Sequence, residues 1–100
     1  MRTGAEYKAA LMDGRKVVVM GGGAVDDVTT HPATAAMVEQ YAAWYDRHFD
    51  PDWRDTLVSP DGTPWCFVLP RTREEVVAIG RSIARTIFLS AGNITHTPHY

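Results

Sequence analysis

Apolar positions along this chain fall into two long stretches of helical period and several short runs set between turn residues. After Thr29-Thr30-His31-Pro32, where Pro32 suits a first helical turn, Met37, Tyr41, Trp44, Tyr45 and His48 recur on one helix face until Pro51 ends the run. Further on, Thr72 precedes Glu75 in a Thr-x-x-Glu capping box. Val76, Ile79, Ile83 and Ile87 then share one face, with Val77, Ala84 and Phe88 beside them. A shorter helix opens the chain: Thr3 and Glu6 form another capping box, Tyr7, Ala10 and Leu11 share a face, and Gly14 stands where a C-terminal cap belongs. Between the helices, the β-branched run Lys16 to Met20, the turn Gly21-Gly22-Gly23 and Ala24-Val25 predict a small hairpin. Thr56 to Val58 and Trp65 to Leu69, flanking Ser59-Pro60-Asp61-Gly62, predict a second, and Asp50 to Arg54 reads as a turn or a single helical turn. The expected fold is mainly α with two small β-hairpins, continuous over residues 1–100 without repeats or linker-like runs.

Two of these patterns admit a functional reading. The aromatic stripe from Met37 to His48 has the spacing of a ligand-lining face, but the same spacing is the ordinary signature of a helix packing on a core, and that is the reading adopted. The glycine triplet invites a phosphate loop. Such a loop needs a following helix N-terminus and Gly-Lys-Ser/Thr, whereas Asp26-Asp27 follow here and would repel phosphate, so a turn is expected. The apolar stripe from Val76 to Ile87 is wide for the partners this chain offers, one other long helix and two hairpins. Part of it is expected to meet residues outside these 100, and the chain reads as the leading piece of a longer soluble enzyme.

Composition narrows the classes. A hydrophobic content of 45%, a charged content of 22% and a net charge of -2 fit a globular protein and supply no basic field for nucleic acid or anionic lipid. Neither a signal-like apolar core near Met1 nor a bilayer-length apolar run is present, which places the protein in the cytoplasm. Cys66 is the single cysteine, excluding an internal disulfide and any cluster held by several thiolates of this segment; a buried structural thiol is expected.

Four histidines remain as candidate chemistry. His96 and His99 have a metal-like spacing, but Pro98 between them breaks a regular helix and no carboxylate or cysteine is near in sequence, so no metal is expected. His31 and His48 sit at helix ends, where a dipole or surface role accounts for them. Tyr100 offers a phenol that can donate a hydrogen bond to another oxygen, and His96 can donate or accept according to tautomer, so the two could orient a polar aromatic ring.

Several segments together carry a family resemblance: Arg2-Thr3-Gly4-Ala5-Glu6-Tyr7, Asp13-Gly14-Arg15, Val25-Asp26-Asp27-Val28-Thr29-Thr30-His31-Pro32, Tyr45-Asp46, Asp50-Pro51 and Leu69-Pro70-Arg71-Thr72-Arg73-Glu74-Glu75. In this order and over essentially the whole chain they resemble the N-terminal part of the 4-hydroxyphenylacetate 3-hydroxylase oxygenase family. The resemblance implies an acyl-CoA-dehydrogenase-like flavoprotein with an N-terminal helical domain, a middle β domain and a C-terminal helical bundle that drives tetramer formation. Only the first would be present here, and the segment alone would be inactive. It further implies reduced FAD delivered by a separate flavin reductase, oxygen activation on that flavin, and hydroxylation of a phenol ortho to its hydroxyl group, the protein positioning the phenol and excluding water.

The family's Gly-Arg-Ser/Thr-Pro-Asp-Tyr stretch, whose arginine and tyrosine address the phenolic oxygen, aligns without a gap with Thr95-His96-Thr97-Pro98-His99-Tyr100. The resemblance thus implies substrate binding by Tyr100 and, in the arginine's place, by His96, while most flavin contacts would fall beyond Tyr100. An imidazole can donate to a phenolate, but its charge depends on pH where a guanidinium's does not, so the departure bears on substrate choice. The related 4-hydroxybutyryl-CoA dehydratase branch, with a cysteine-held iron–sulfur cluster, is disfavoured by the lack of cysteine near the closing stretch. A non-catalytic helical module that binds a partner protein through its aromatic stripe is the reading from another class.

Overall fold

The computed structural model describes residues 1–89. The elements, in order, are α1 (Gly4–Ala10), β1 (Val17–Val19), β2 (Gly23–Val25), α2 (Ala35–Arg47), α3 (Pro51–Leu57), a 3-10 turn (Trp65–Phe67) and α4 (Arg73–Leu89). The contacts divide them into two compact units: Arg2–Asp46, and Met1 together with the residues from Arg47 onward.

In the first unit, α1 begins as its sequence dictates: Thr3 accepts from the Glu6 N–H while the Glu6 carboxylate accepts from the Thr3 N–H at 2.7 Å. The helix stops earlier than Gly14, with Leu11 as its cap, and Gly14 instead serves a later turn at φ +80. Antiparallel β1 and β2 pair Val17 with Val25 and Val19 with Gly23, and Gly21 and Gly23 take the positive φ that this tight reversal demands. The glycine triplet is therefore a hairpin turn that joins two strands. The start of α2 corrects the expectation for Pro32: Asp27 accepts from both the N–H and hydroxyl of Thr29, His31 follows in a turn, and the helix begins only at Ala35. Val38, Ala42 and Trp44 are its buried residues.

The second unit departs further from the pattern. Asp50 caps α3 by accepting from the Asp52 N–H at 2.9 Å, and Pro51 at the first helical position extends what looked like a turn into seven residues ending at Leu57. That helix consumes Thr56 and Leu57, two of the three residues expected in the first strand of the second hairpin. Pro64 lacks an N–H and the residues after it coil into the 3-10 turn, so only one bridge, Val58 to Pro64, remains, closed by the Ser59 N–H donating to the Thr63 carbonyl at 2.8 Å. Gly62, at φ +89, completes the reversal.

Helix α4 starts on the Thr72 and Glu75 capping box as expected. Its burial follows its apolar stripe only in part, since Ile79, Ile83 and Ile87 are half-buried. Ser82 and Thr86 are the buried residues, where α4 packs on α3 and the 3-10 turn, while Val76 (56% exposed), Val77 and Phe88 (84%) face outward among the described residues. Among the described residues Leu57, 1% exposed, is the most deeply buried apolar side chain.

Candidate functional site

Within the second unit, α3 and α4 are tied through Trp53. The Arg85 guanidinium lies 4.3 Å from the indole centroid and donates to the Asp52 carbonyl at 3.2 Å, and Arg47, ion-paired with Asp50 at 2.9 Å, lies 5.1 Å from the same ring. Beside this clamp opens a cleft of about 640 Å³. It is lined by Arg54 and Asp55 of α3, the turn around Ser59 and Asp61, Trp65, and Arg81 of α4.

The cleft is electrostatically balanced. Arg54 and Arg81 face Asp55 and Asp61, and Arg54 already donates to the His48 carbonyl at 3.2 Å. Asp61 is held below the usual carboxylate range, first by the Ser59 hydroxyl and then by the Thr63 N–H, so it stays ionised and cancels positive charge. A dinucleotide such as FAD brings a diphosphate that needs a net positive cradle or a long helix N-terminus pointing at it. These residues do not fit that group, and they lay outside the residues singled out from sequence. The only signal for the cleft was the Ser59-Pro60-Asp61-Gly62 turn, read as a hairpin connection.

In the first unit, Tyr7 of α1 stacks on Tyr45 of α2 (centroids 5.0 Å, 28° between planes) and lies 6.1 Å from Tyr41; Trp44 meets Tyr45 edge-on at 5.1 Å. The aromatic stripe is thus packing, as its spacing suggested. Burial and the neighbouring Tyr45 and Tyr41 phenols raise the Tyr7 pKa, so it is a neutral phenol at ordinary pH. Gly4 allows α1 to approach α2: it is buried, and its N–H donates to Asp46 at 2.7 Å.

The two substrate-binding candidates, His96 and Tyr100, lie outside the described residues, as does His99. His31 accepts from the Ala33 N–H at 3.0 Å on Nδ1, a local turn role. His48 is 2% exposed and accounts for part of the core. Cys66 is half-buried, and that burial pushes its thiol up to about 11, which leaves it un-ionised and unreactive at neutral pH. Among the described residues no group of three or more histidine, cysteine or carboxylate side chains is placed to hold a metal, and no helix is long and apolar enough to cross a membrane.

Similarity to known proteins covers the chain from end to end. The family model described as 4-hydroxyphenylacetate 3-hydroxylase N terminal matches residues 3–100. The oxygenase component of 4-nitrophenol 4-monooxygenase/4-nitrocatechol 2-monooxygenase from Rhodococcus opacus is 44% identical over 79 residues, 75% of this chain and 15% of that protein. The oxygenase component of 4-hydroxyphenylacetate 3-monooxygenase from Geobacillus sp. is 33% identical over 102 residues, 99% of this chain and 21% of that protein. Among solved structures, the oxygenase component HpaB complexed with FAD and 4-hydroxyphenylacetate superposes with a TM-score of 0.75 at 34% identity, covering 86% of this chain and 19% of that one. The chain thus spans about a fifth or less of the length of the proteins it matches. With its helical start, its β1–β2 hairpin and a family match running from Thr3 to Tyr100, the chain belongs to the 4-hydroxyphenylacetate 3-hydroxylase family and corresponds to that family's N-terminal portion.

Proposed function

We propose that this chain is the N-terminal helical domain of a two-component, reduced-FAD-dependent aromatic monooxygenase that hydroxylates a phenolic substrate ortho to its hydroxyl group. The observation that carries this reading is the 0.75 TM-score, at 34% identity over 86% of the chain, to an oxygenase component crystallised with FAD and 4-hydroxyphenylacetate. Relatives named for nitrophenol and chlorophenol oxidation support a phenol as the common substrate element. The charge-balanced cleft fits a division of labour in which the flavin is held by the middle β domain and the C-terminal helical bundle. Reduced FAD, delivered by a separate flavin reductase, would supply the oxygen chemistry. The assembly would be a homotetramer in the cytoplasm.

In this reading Tyr100 donates its phenolic hydrogen to the substrate oxygen and His96 takes the place of a permanent cation. Because a guanidinium is a permanent cation and an imidazole is not, His96→Arg is expected to lower substrate KM. Tyr100→Phe raises KM for the phenol while flavin affinity holds. The test is flavin titration and product analysis on the full-length polypeptide carrying this segment, with a flavin reductase and a panel of phenols. Catechol-type products are expected there, and none from the 100-residue chain alone. A full-length polypeptide that takes up no reduced FAD would overturn the oxygenase reading in favour of a partner-binding helical module.

A further inference from the structure

Oxidisable side chains are rarely gathered without a packing reason, and the first unit has such a reason; the geometry of the gathering nonetheless sets its chemistry. Tyr41, Tyr7, Tyr45 and Trp44 form an unbroken file in which successive ring centroids are 6.1, 5.0 and 5.1 Å apart. Tyr7 and Tyr45 lie nearly face to face, at 28°, on different helices separated by more than twenty residues in sequence. All three tyrosines are half-buried, so a diffusible oxidant reaches them and water can take their phenolic protons, whereas Trp44 is buried.

We propose that the Tyr7 and Tyr45 pair is a site of oxidative cross-linking, a dityrosine modification site fed by the Tyr41 and Trp44 rings that flank it. This inference goes beyond the monooxygenase reading and does not depend on it. The chemistry balances with a one-electron radical oxidant as the co-reactant. One equivalent removes an electron from the Tyr7 phenol, whose proton passes to water, and leaves a neutral phenoxyl. A second equivalent does the same at Tyr45, directly or by oxidising Trp44, which then recovers its electron from Tyr45. The two phenoxyls join through ring carbons ortho to oxygen, and the displaced ring hydrogens return to the oxygens. Two phenols thus give one biphenol, two protons and two electrons.

Stacked rings favour this coupling because both radicals are generated already in contact, replacing a bimolecular encounter with an intramolecular one. The high phenol pKa of Tyr7, raised first by burial, means its oxidation is coupled to proton release. Tyr41 stands slightly farther off and is tilted by 47°, a poorer coupling geometry, so it passes oxidising equivalents inward and is itself a minor cross-linking partner.

The test exposes the 100-residue chain at low concentration to a photogenerated ruthenium(III) polypyridyl oxidant with persulfate, followed by dityrosine fluorescence and peptide mass spectrometry. The expected product is a monomeric chain lighter by two hydrogens, with Tyr7 and Tyr45 peptides joined. Tyr45→Phe abolishes the Tyr7–Tyr45 link and leaves at most the minor Tyr7–Tyr41 product, while Tyr41→Phe slows formation of the main link and leaves its position unchanged. Circular dichroism of each variant confirms that the helices persist, and a urea-unfolded sample, in which the stack is gone, should lose the site preference. Cross-links distributed among tyrosines without preference, an intermolecular product alone, or an undiminished yield in a folded Tyr45→Phe chain would each overturn the proposal.

Discussion

Replacing Gly4 by alanine is the sharpest probe of the first unit. The need for glycine here is one of space, since Gly4 lies inside α1 with helical backbone. An added Cβ would stand 2.6 Å from the Ala42 carbonyl oxygen and 2.7 Å from Asp46 Oδ2, with the Ala42 carbonyl carbon at 3.0 Å. Two of these three atoms are α2 backbone and cannot swing away. Overpacking of this kind costs about 1–3 kcal/mol. Any retreat of α1 also stretches the 2.7 Å bond from the Gly4 N–H to Asp46, and hydrogen bonds to a charged group contribute about 1.5–3 kcal/mol, less here because the site is only part-buried. Alanine's better helix propensity offsets about 1 kcal/mol. The net expectation is a loss of about 1–4 kcal/mol, a fall in unfolding midpoint of at least about 4 °C. Urea unfolding at constant m reads it directly. Ala5→Gly, at an exposed position of the same helix, should lose only about 0.5–1 kcal/mol. In an Asp46→Ala background the Gly4→Ala penalty should shrink but persist, because the Ala42 carbonyl remains in the way. A Gly4→Ala chain within about 0.5 kcal/mol of the parent would refute the close approach of α1 to α2.

Thr3→Ala and Thr72→Ala each remove a capping box and should cost about 1 kcal/mol by chemical denaturation, with Thr→Ser at either site nearly neutral. Asp13, bonded by the Arg15 guanidinium at 2.8 Å, should titrate at about 2, and Arg15→Gln should return it to the usual carboxylate range by carboxyl-carbon NMR. Because its folded pKa is lowered, whatever stability this pair supplies is present above the unfolded carboxylate pKa and disappears as pH falls through about 2. Cys66, with its thiol pushed up to about 11 by burial, should react slowly with iodoacetamide at pH 8 when folded and speed up strongly in urea; equal rates would contradict its burial.

What the sequence disclosed follows from the range of the interactions involved. Capping boxes at Thr3 and Thr72 and the hairpin around Gly21 to Gly23 rest on residues within a few positions of one another, and all three form as read. The packing of Tyr41 and Tyr45 was legible as a face, but its partner, Tyr7, was not, because nothing in a periodicity says which helix lies opposite. The second expected hairpin failed for a local reason that the pattern did contain. Asp50 followed by Pro51 is an N-cap and first-turn pair, and a helix launched there runs on through Leu57, into the residues that the neighbouring turn signal had assigned to a strand. The cleft was invisible since its walls come from α3, a loop and α4, brought together only by tertiary contact.

Helix α4 shows why hydrophobicity and burial part company. Its capping box and period located it correctly, yet the face that meets α3 and the 3-10 turn centres on Ser82 and Thr86. These side chains are small, and a helical hydroxyl can return its hydrogen to the carbonyl one turn earlier, so both tolerate burial. Ile79, Ile83 and Ile87 are half-buried, while Val76, Val77 and Phe88 remain outward, in keeping with a stripe wider than the partners within these 100 residues, and each fully burying contact they lack is worth about 1.5–3 kcal/mol. Position on α4 is set instead by specific anchors: the Arg85 guanidinium over Trp53 and its bond to the Asp52 carbonyl hold one rotation of the helix. Arg85→Gln would release that rotation, costing about 0.5–2 kcal/mol and increasing the accessibility of Trp53 to an acrylamide quencher. Unchanged quenching would mean that hydroxyl packing alone orients α4, and would move the determinant of its facing from the arginine to Ser82 and Thr86.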